Sequence, residues 1–210
     1  MAHFYLAMNH GLAGDFDSAL TEAGNAELVG TALGDPRLHT YAGFTIGWLE
    51  ASRGNHETAT AACRRSRDQA PDRVSRAYAS MFLGYALIEA GDHRRAQELL
   101  EPTVTELHSF GIPQWVAWAS ILTGETYRLD GDVDRAGTFV ARGLEIATKA
   151  KYWYAVGFAE RIAARIARDR GRLEESTTAF RRSLQTFERI GARFEAARAR
   201  REGAAAGQSL

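Results

Sequence analysis

The chain is short of several residue types at once. Its 210 residues hold one cysteine, four prolines and, against 24 arginines, two lysines. A lone Cys63 excludes an intramolecular disulfide and suits a reducing compartment, so the expected location is cytoplasmic. The longest apolar stretch, "YWYAVGFA", has eight residues. Crossing a bilayer takes about 20, so no membrane partner is expected. The start, "MAHFYLAMNHGLAGDF", has neither a basic n-region nor a clean apolar core and is not read as a secretion signal. Formal net charge is zero, so nothing draws the whole chain to nucleic acid or to an anionic surface. The arginine skew is read as that of a GC-rich genome rather than of a binding function.

What is present is a repeat. The segments "AGDFDSAL", "RGNHETAT", "AGDHRRAQ", "DGDVDRAG" and "RGRLEEST" align on Gly14, Gly54, Gly91, Gly131 and Gly171, at spacings of 40, 37, 40 and 40. Seven residues before each glycine stands a small residue: Ala7, Gly47, Gly84, Gly124 and Ala164. Five residues after each stands another: Ala19, Ala59, Ala96, Ala136 and Ser176. Five copies in register exclude a chance origin.

Each turn glycine suits the left-handed position that ends a helix. Asp15, Asn55, Asp92 and Asp132 follow as N-caps of the next helix, with Arg172 departing from the rule. The unit is therefore two antiparallel helices joined by a tight turn. Glycine within a helix costs about 0.5–1 kcal/mol relative to alanine, and Gly47, Gly84 and Gly124 bear that cost so that paired helices can approach. Gly84→Leu should overpack the contact, and Gly84→Ala would stabilise if a methyl group fits. Further turns fall at Gly34, Gly111 and Gly191, and Pro36, Pro71 and Pro113 mark helix starts. Pro102 lies inside a helix and should kink or shorten it. The spacing predicts helices over 2–13, 16–33, 36–53, 56–69, 72–90, 93–110, 113–130, 133–149, 152–170, 173–190 and 193–203.

The pattern resembles the tetratricopeptide (TPR) repeat, a helix–turn–helix unit. The small residue of that family's eighth position matches Gly47, Gly84 and Gly124, and the alanine of its twentieth matches Ala19, Ala59, Ala96 and Ala136. Tyr127, Phe180 and Pro71 match further positions. The period of mostly 40 is longer than the family's, and the tryptophan of position four is absent. The long unit, with "ELVGTALGDPR" and "FERIGARFEAARAR", resembles the C-terminal repeat regions of bacterial STAND-type ATPases, maltose-activator-like regulators and multidomain nucleotide cyclases. The resemblance implies an all-α, right-handed α–α superhelix of five helical hairpins plus a C-terminal capping helix. Residues 1–203 are read as a single solenoid domain and 204–210 as a disordered tail. A start inside a helix, with no cap before Ala2, suggests a piece of a larger protein.

Motifs for chemistry are weak. Asp130, Asp132 and Asp134 alternate like the start of a calcium loop, but that loop needs glycine and glutamate where Arg135 and Ala141 stand. Neither a phosphate-binding glycine loop nor zinc-ligand spacing among the six histidines and Cys63 is visible. No enzyme activity, cofactor or metal is expected, and Cys63 is read as a core residue.

The resemblance places a concave face on the first helix of each unit. By register its ligand- or partner-binding positions are Tyr41, Phe44 and Trp48; Tyr78, Met81 and Tyr85; Trp118, Glu125 and Arg128; and Arg161 and Arg165. The face runs from aromatic to arginine-rich. Exposed aromatic rows imply binding, unless the rings are inter-repeat core. Charge is graded too: residues 1–60 carry −5 and residues 151–210 carry +6. That gradient suits docking to a neighbouring domain or weak homo-oligomer formation head to tail. The arginines spread over several helix faces, so nucleic acid is not expected. Two readings follow. One is a non-catalytic protein- or peptide-binding scaffold, the interaction or sensor region of a larger bacterial signal-transduction protein. The other is a small-molecule effector sensor that uses the aromatic groove.

Overall fold

The structure, a computed structural model, describes residues 1–205. They form eleven helices and no strand: α1 (Ala2–Ala13), α2 (Phe16–Leu33), α3 (Pro36–Arg53), α4 (His56–Asp68), α5 (Arg73–Glu89), α6 (His93–Ser109), α7 (Pro113–Leu129), α8 (Val133–Lys149), α9 (Trp153–Asp169), α10 (Leu173–Arg189) and α11 (Arg193–Ala205). Ala204 and Ala205 close α11 instead of opening a tail. The remainder of the expected tail, 206–210, lies outside the described residues. Pro102 does not shorten α6, which has the same 17 residues as α8 and α10.

The helix starts follow their caps. Asp15, Asp72, Asp92 and Asp132 each accept a backbone N–H three residues on, and Asp35 accepts from Arg37 and Leu38. Asn55 stands at the N-cap of α4 but does not cap it, because its amide donates to Glu50 Oε2 at 2.5 Å. The turns close as expected, with Gly54 at φ 87° standing for its register-mates. Lys151, twenty residues after Gly131, takes the same left-handed conformation at φ 55° and is the one non-glycine residue with positive φ among the described residues.

Packing divides the chain into two compact units, Met1–Phe110 and Gly111–Leu210. In the first, α1/α2, α3/α4 and α5/α6 pair as hairpins, and α3 also packs on α5. In the second, α7/α8 and α9/α10 pair, α7 packs on α9, and α11 covers α10. The small residues do what their spacing implies. A Cβ on Gly47 would overlap Cys63 Sγ and sit 3.0 Å from the Ala59 carbonyl, while one on Gly124 would lie 2.5 Å from Val140 Cγ2 and 3.1 Å from the Ala136 carbonyl. At Gly84 the obstructing neighbour is Leu100, one turn beyond Ala96, with Cδ2 at 2.5 Å and Cγ at 2.6 Å. A methyl group does not fit there, so the expectation that Gly84→Ala would stabilise is overturned.

Candidate binding face

The first helices do line up their aromatic residues, but as core. Phe44 is 1 % exposed, Trp48 2 %, Met81 0 %, Tyr85 1 % and Trp118 1 %. The groove of exposed rings expected from the register is therefore corrected: these side chains hold helices together. In the first unit, Phe44 stacks on Phe82 with centroids 4.5 Å apart and meets Phe4 edge-on at 6.0 Å. Gly11 of α1 leaves room for the Trp48 ring, since a Cβ there would come within 2.6 Å of its Cζ3. Tyr85 Oη lies 3.3 Å from Ser52 Oγ. Only Tyr41 and Tyr78 of the predicted rings keep partial exposure. Burial raises the pKa of Tyr41. In the second unit Trp118 meets Tyr154 and Phe158 edge-on. The physical reason is helix length. The first helices α3, α5 and α7 run 17 or 18 residues and, drawn against their partners at glycine, enclose rings that a shorter helix would leave in a groove.

The charged half of the predicted face is brought together, and all of it lies in the second unit. Register position nine of the first helix reads Trp48, Tyr85, Glu125, Arg165, so the same place turns from ring to ion. Arg128 grips Glu125 with both ends of its fork, at 2.7 and 2.9 Å, and donates to Asp169 at 2.8 Å. Arg165 donates to Glu125 at 2.5 Å and holds Glu202 bidentately at 2.7 Å. Arg161 is 1 % exposed, donates to Glu195 and lies 4.4 Å over the Phe158 ring. Its Nε has no hydrogen-bond acceptor among the described residues and lies 3.9 Å from Glu202 Oε1. The network thus spans α7, α9 and α11. Arg161 and Glu195 are sealed within it, whereas Arg128, Arg165, Glu202 and Asp169 keep an edge in water.

The electrostatics follow from mutual neutralisation. Burial lowers the pKa of Arg165, but the Glu125 and Glu202 carboxylates outweigh it and raise the value overall. Burial likewise opposes Arg128, and its bonds to Glu125 and Asp169 again prevail. Glu202 would be raised by burial, yet hydrogen bonds from Arg165 and the fields of Arg161 and Arg165 pull it down to about 2. Sequence reasoning located the arginines and Glu125 but missed Asp169, Glu195 and Glu202. A signal existed: Glu125 and Arg165 stand 40 apart, one repeat period, and Arg128 and Asp169 41 apart. Opposite charges at the repeat period lie on adjacent first helices.

Cys63 is buried against α3, as a core residue. Among the described residues no cluster of three or more metal-ligating side chains forms, and no helix is long and apolar enough to cross a membrane.

No family model matches the chain, and no curated protein does. Solved structures do. A Rap protein complexed with Competence and Sporulation Factor superposes with a TM-score of 0.77 at 13% identity over 94% of this chain and 56% of that one. The apo form of RapI gives 0.65 at 14% identity over 89% and 69%. BtubC (BKLC) from P. vanneervenii gives 0.59 at 14% identity over 96% and 93%. The chain thus spans little more than half the length of the Rap protein in the complex. The likeness shows the fold: a TPR-like helical-repeat solenoid.

Proposed function

We propose that this chain is a non-catalytic scaffold that binds a peptide or protein segment through the charged face of α7, α9 and α11, and that it serves as the interaction region of a larger bacterial regulatory protein in the cytoplasm. One observation carries the reading. The register position that holds Trp48 in α3 and Tyr85 in α5 holds Glu125 in α7 and Arg165 in α9, which build an arginine–carboxylate network together with α11. Such networks contribute little net stability compared with an apolar core, because desolvating the ions offsets their attraction. Their use lies in recognition: Arg128 and Arg165 can exchange a carboxylate of the chain for one of a partner, and Asp169 and Glu202 can accept an incoming cation. A Rap protein of this fold was solved in complex with a binding factor, which supports the use of the scaffold as a receptor. The small-molecule reading loses its aromatic groove to the core and is not carried further.

The test is selection from a random peptide library displayed on phage, with each enriched peptide titrated calorimetrically against the wild type and Arg165→Gln. The expected result is enrichment of charged peptides that lose about tenfold or more in affinity on substitution, the scale of one charge-assisted hydrogen bond. Enriched peptides indifferent to Arg165, or none at all, would reject the assignment.

A further inference from the structure

On a different face of α9, a groove of about 550 Å³ opens between α8 and α10. Leu144 and Thr148 of α8 form one wall; Arg182, Gln185, Thr186 and Arg189 of α10 form the other; Trp153, Val156 and Glu160 of α9 form the floor. Its volume is that of an ordinary ligand site. Three features set it apart from a mere furrow between helices.

Trp153 is 38 % exposed, whereas Trp48 and Trp118 are buried. A tryptophan left open at the mouth of a groove is unusual for packing and usual for contact. Arg189 Cζ stands 4.2 Å over that ring, a cation–π contact that places the guanidinium at the groove with N–H donors to offer. Arg189 makes no ion pair within 4 Å among the described residues, in contrast to Arg128, Arg161 and Arg165. The floor carboxylate, Glu160, is already engaged: its Oε1 lies 3.2 Å from Arg182 Nε and its Oε2 accepts from Thr186 at 3.2 Å. The groove therefore offers a surplus positive charge, a positioned donor edge, an open aromatic face and the aliphatic walls of Leu144 and Val156.

We propose that this groove binds a short acidic segment of another protein, with a carboxylate on Arg189 and a neighbouring apolar side chain against Trp153 and Val156. A cationic segment would meet Arg182 and Arg189 with no open carboxylate to receive it. A purely apolar one would leave Arg189 without an acceptor once the groove is dry. The site shares no residue with the α7–α9–α11 network and does not depend on it.

The experiment is an array of hexapeptides bearing two or three glutamates or aspartates beside leucine, isoleucine or phenylalanine, with the lysine counterparts on the same sheet. It is probed with the wild type, Arg189→Gln, Trp153→Leu and Arg37→Gln. Arg189 and Trp153 are exposed, so these variants should fold, which circular dichroism verifies. Acidic peptides should be retained in preference to basic ones, and Arg189→Gln should weaken retention about tenfold. Trp153→Leu should weaken it as well, while Arg37→Gln, an exposed arginine outside both faces, leaves it unchanged. Equal retention of acidic and basic peptides, no retention, or retention indifferent to Arg189 would overturn the site. Equal loss with Arg37→Gln would mean that general positive charge, not the groove, holds the peptides, and would equally overturn it.

Discussion

At Gly47 a methyl group would overlap the Cys63 sulfur and press on backbone at Ala59, and at Gly84 it would meet the branch point of Leu100. Cys63 and Leu100 are both fully buried, at 0 % exposure, so neither side chain has room to swing away and the helices themselves would have to part. Gly47→Ala and Gly84→Ala are therefore expected to destabilise, by about 1–3 kcal/mol as overpacked cores do. Urea unfolding followed by circular dichroism measures this, and an unchanged midpoint would show that the hairpins can breathe at these points. Lys151 is the converse. It stands where other hairpins carry a turn glycine and adopts a conformation that costs an ordinary residue about 1–2 kcal/mol. Glycine removes that strain but adds about 0.5–1 kcal/mol of chain entropy to be lost on folding. Lys151→Gly should thus raise stability by a few tenths to about 1 kcal/mol, the residue of those two effects, read in the same urea titration.

Helix by helix, the predicted boundaries agree with the structure to within a residue at every end except that of α11. They were legible because a turn glycine, an aspartate cap and a helix-starting proline act within a few residues of one another. Pro102 misled on length because packing of α6 against α5 outweighs one missing hydrogen bond. The Arg161–Glu195 pair belongs to the same scale, since it joins α9 to α11. Arg161 and Glu195 are almost wholly enclosed, at 1 % and 3 % side-chain exposure. Removing one leaves the other charged and buried, so Arg161→Met is expected to cost about 3–5 kcal/mol. Arg161→Met combined with Glu195→Leu should recover most of that loss, and a double mutant as unstable as the single would mean that the pair itself, not its desolvation, holds α9 to α11. Glu160 gives a pH test. Burial raises its pKa, so its charge costs stability wherever it is ionised. Glu160→Gln should stabilise at neutral pH and lose that advantage as pH falls through the raised folded value to about 4.3, the ordinary glutamate value.

Over the whole chain, the sequence shows where charge accumulates but not how it is spent. The +6 of residues 151–210 suggested an arginine-rich surface, and the structure turns the arginines Arg161 and Arg165 inward onto Glu125, Glu195 and Glu202. Exposure was not legible for a related reason: whether Trp48 or Arg165 meets water depends on how far the next hairpin reaches, which no local pattern encodes. Buried rings and aliphatic side chains run through both compact units, and the second adds to them a carboxylate network. Acid should separate them. Glu202 is held at about 2 in the folded chain, below its value of about 4.3 when unfolded. A depressed carboxylate stabilises above its unfolded pKa, and that stability is lost as pH falls from about 4.3 toward the folded value. Asp15 and Asp72 of the first unit are also lowered, by hydrogen bonds from Ser18 and Ser75, but they sit at helix starts in water. Glu160 works against the trend, relaxing as it gains a proton, yet it is one group against the network. Amide hydrogen exchange compared at pH 6 and pH 3 should therefore show α7, α9 and α11 losing protection before α1, α3 and α5. Glu202→Gln should lower stability at pH 6 and narrow the difference between the two conditions. Were α1, α3 and α5 to open first, the arginine–carboxylate network would not be what holds the second unit together.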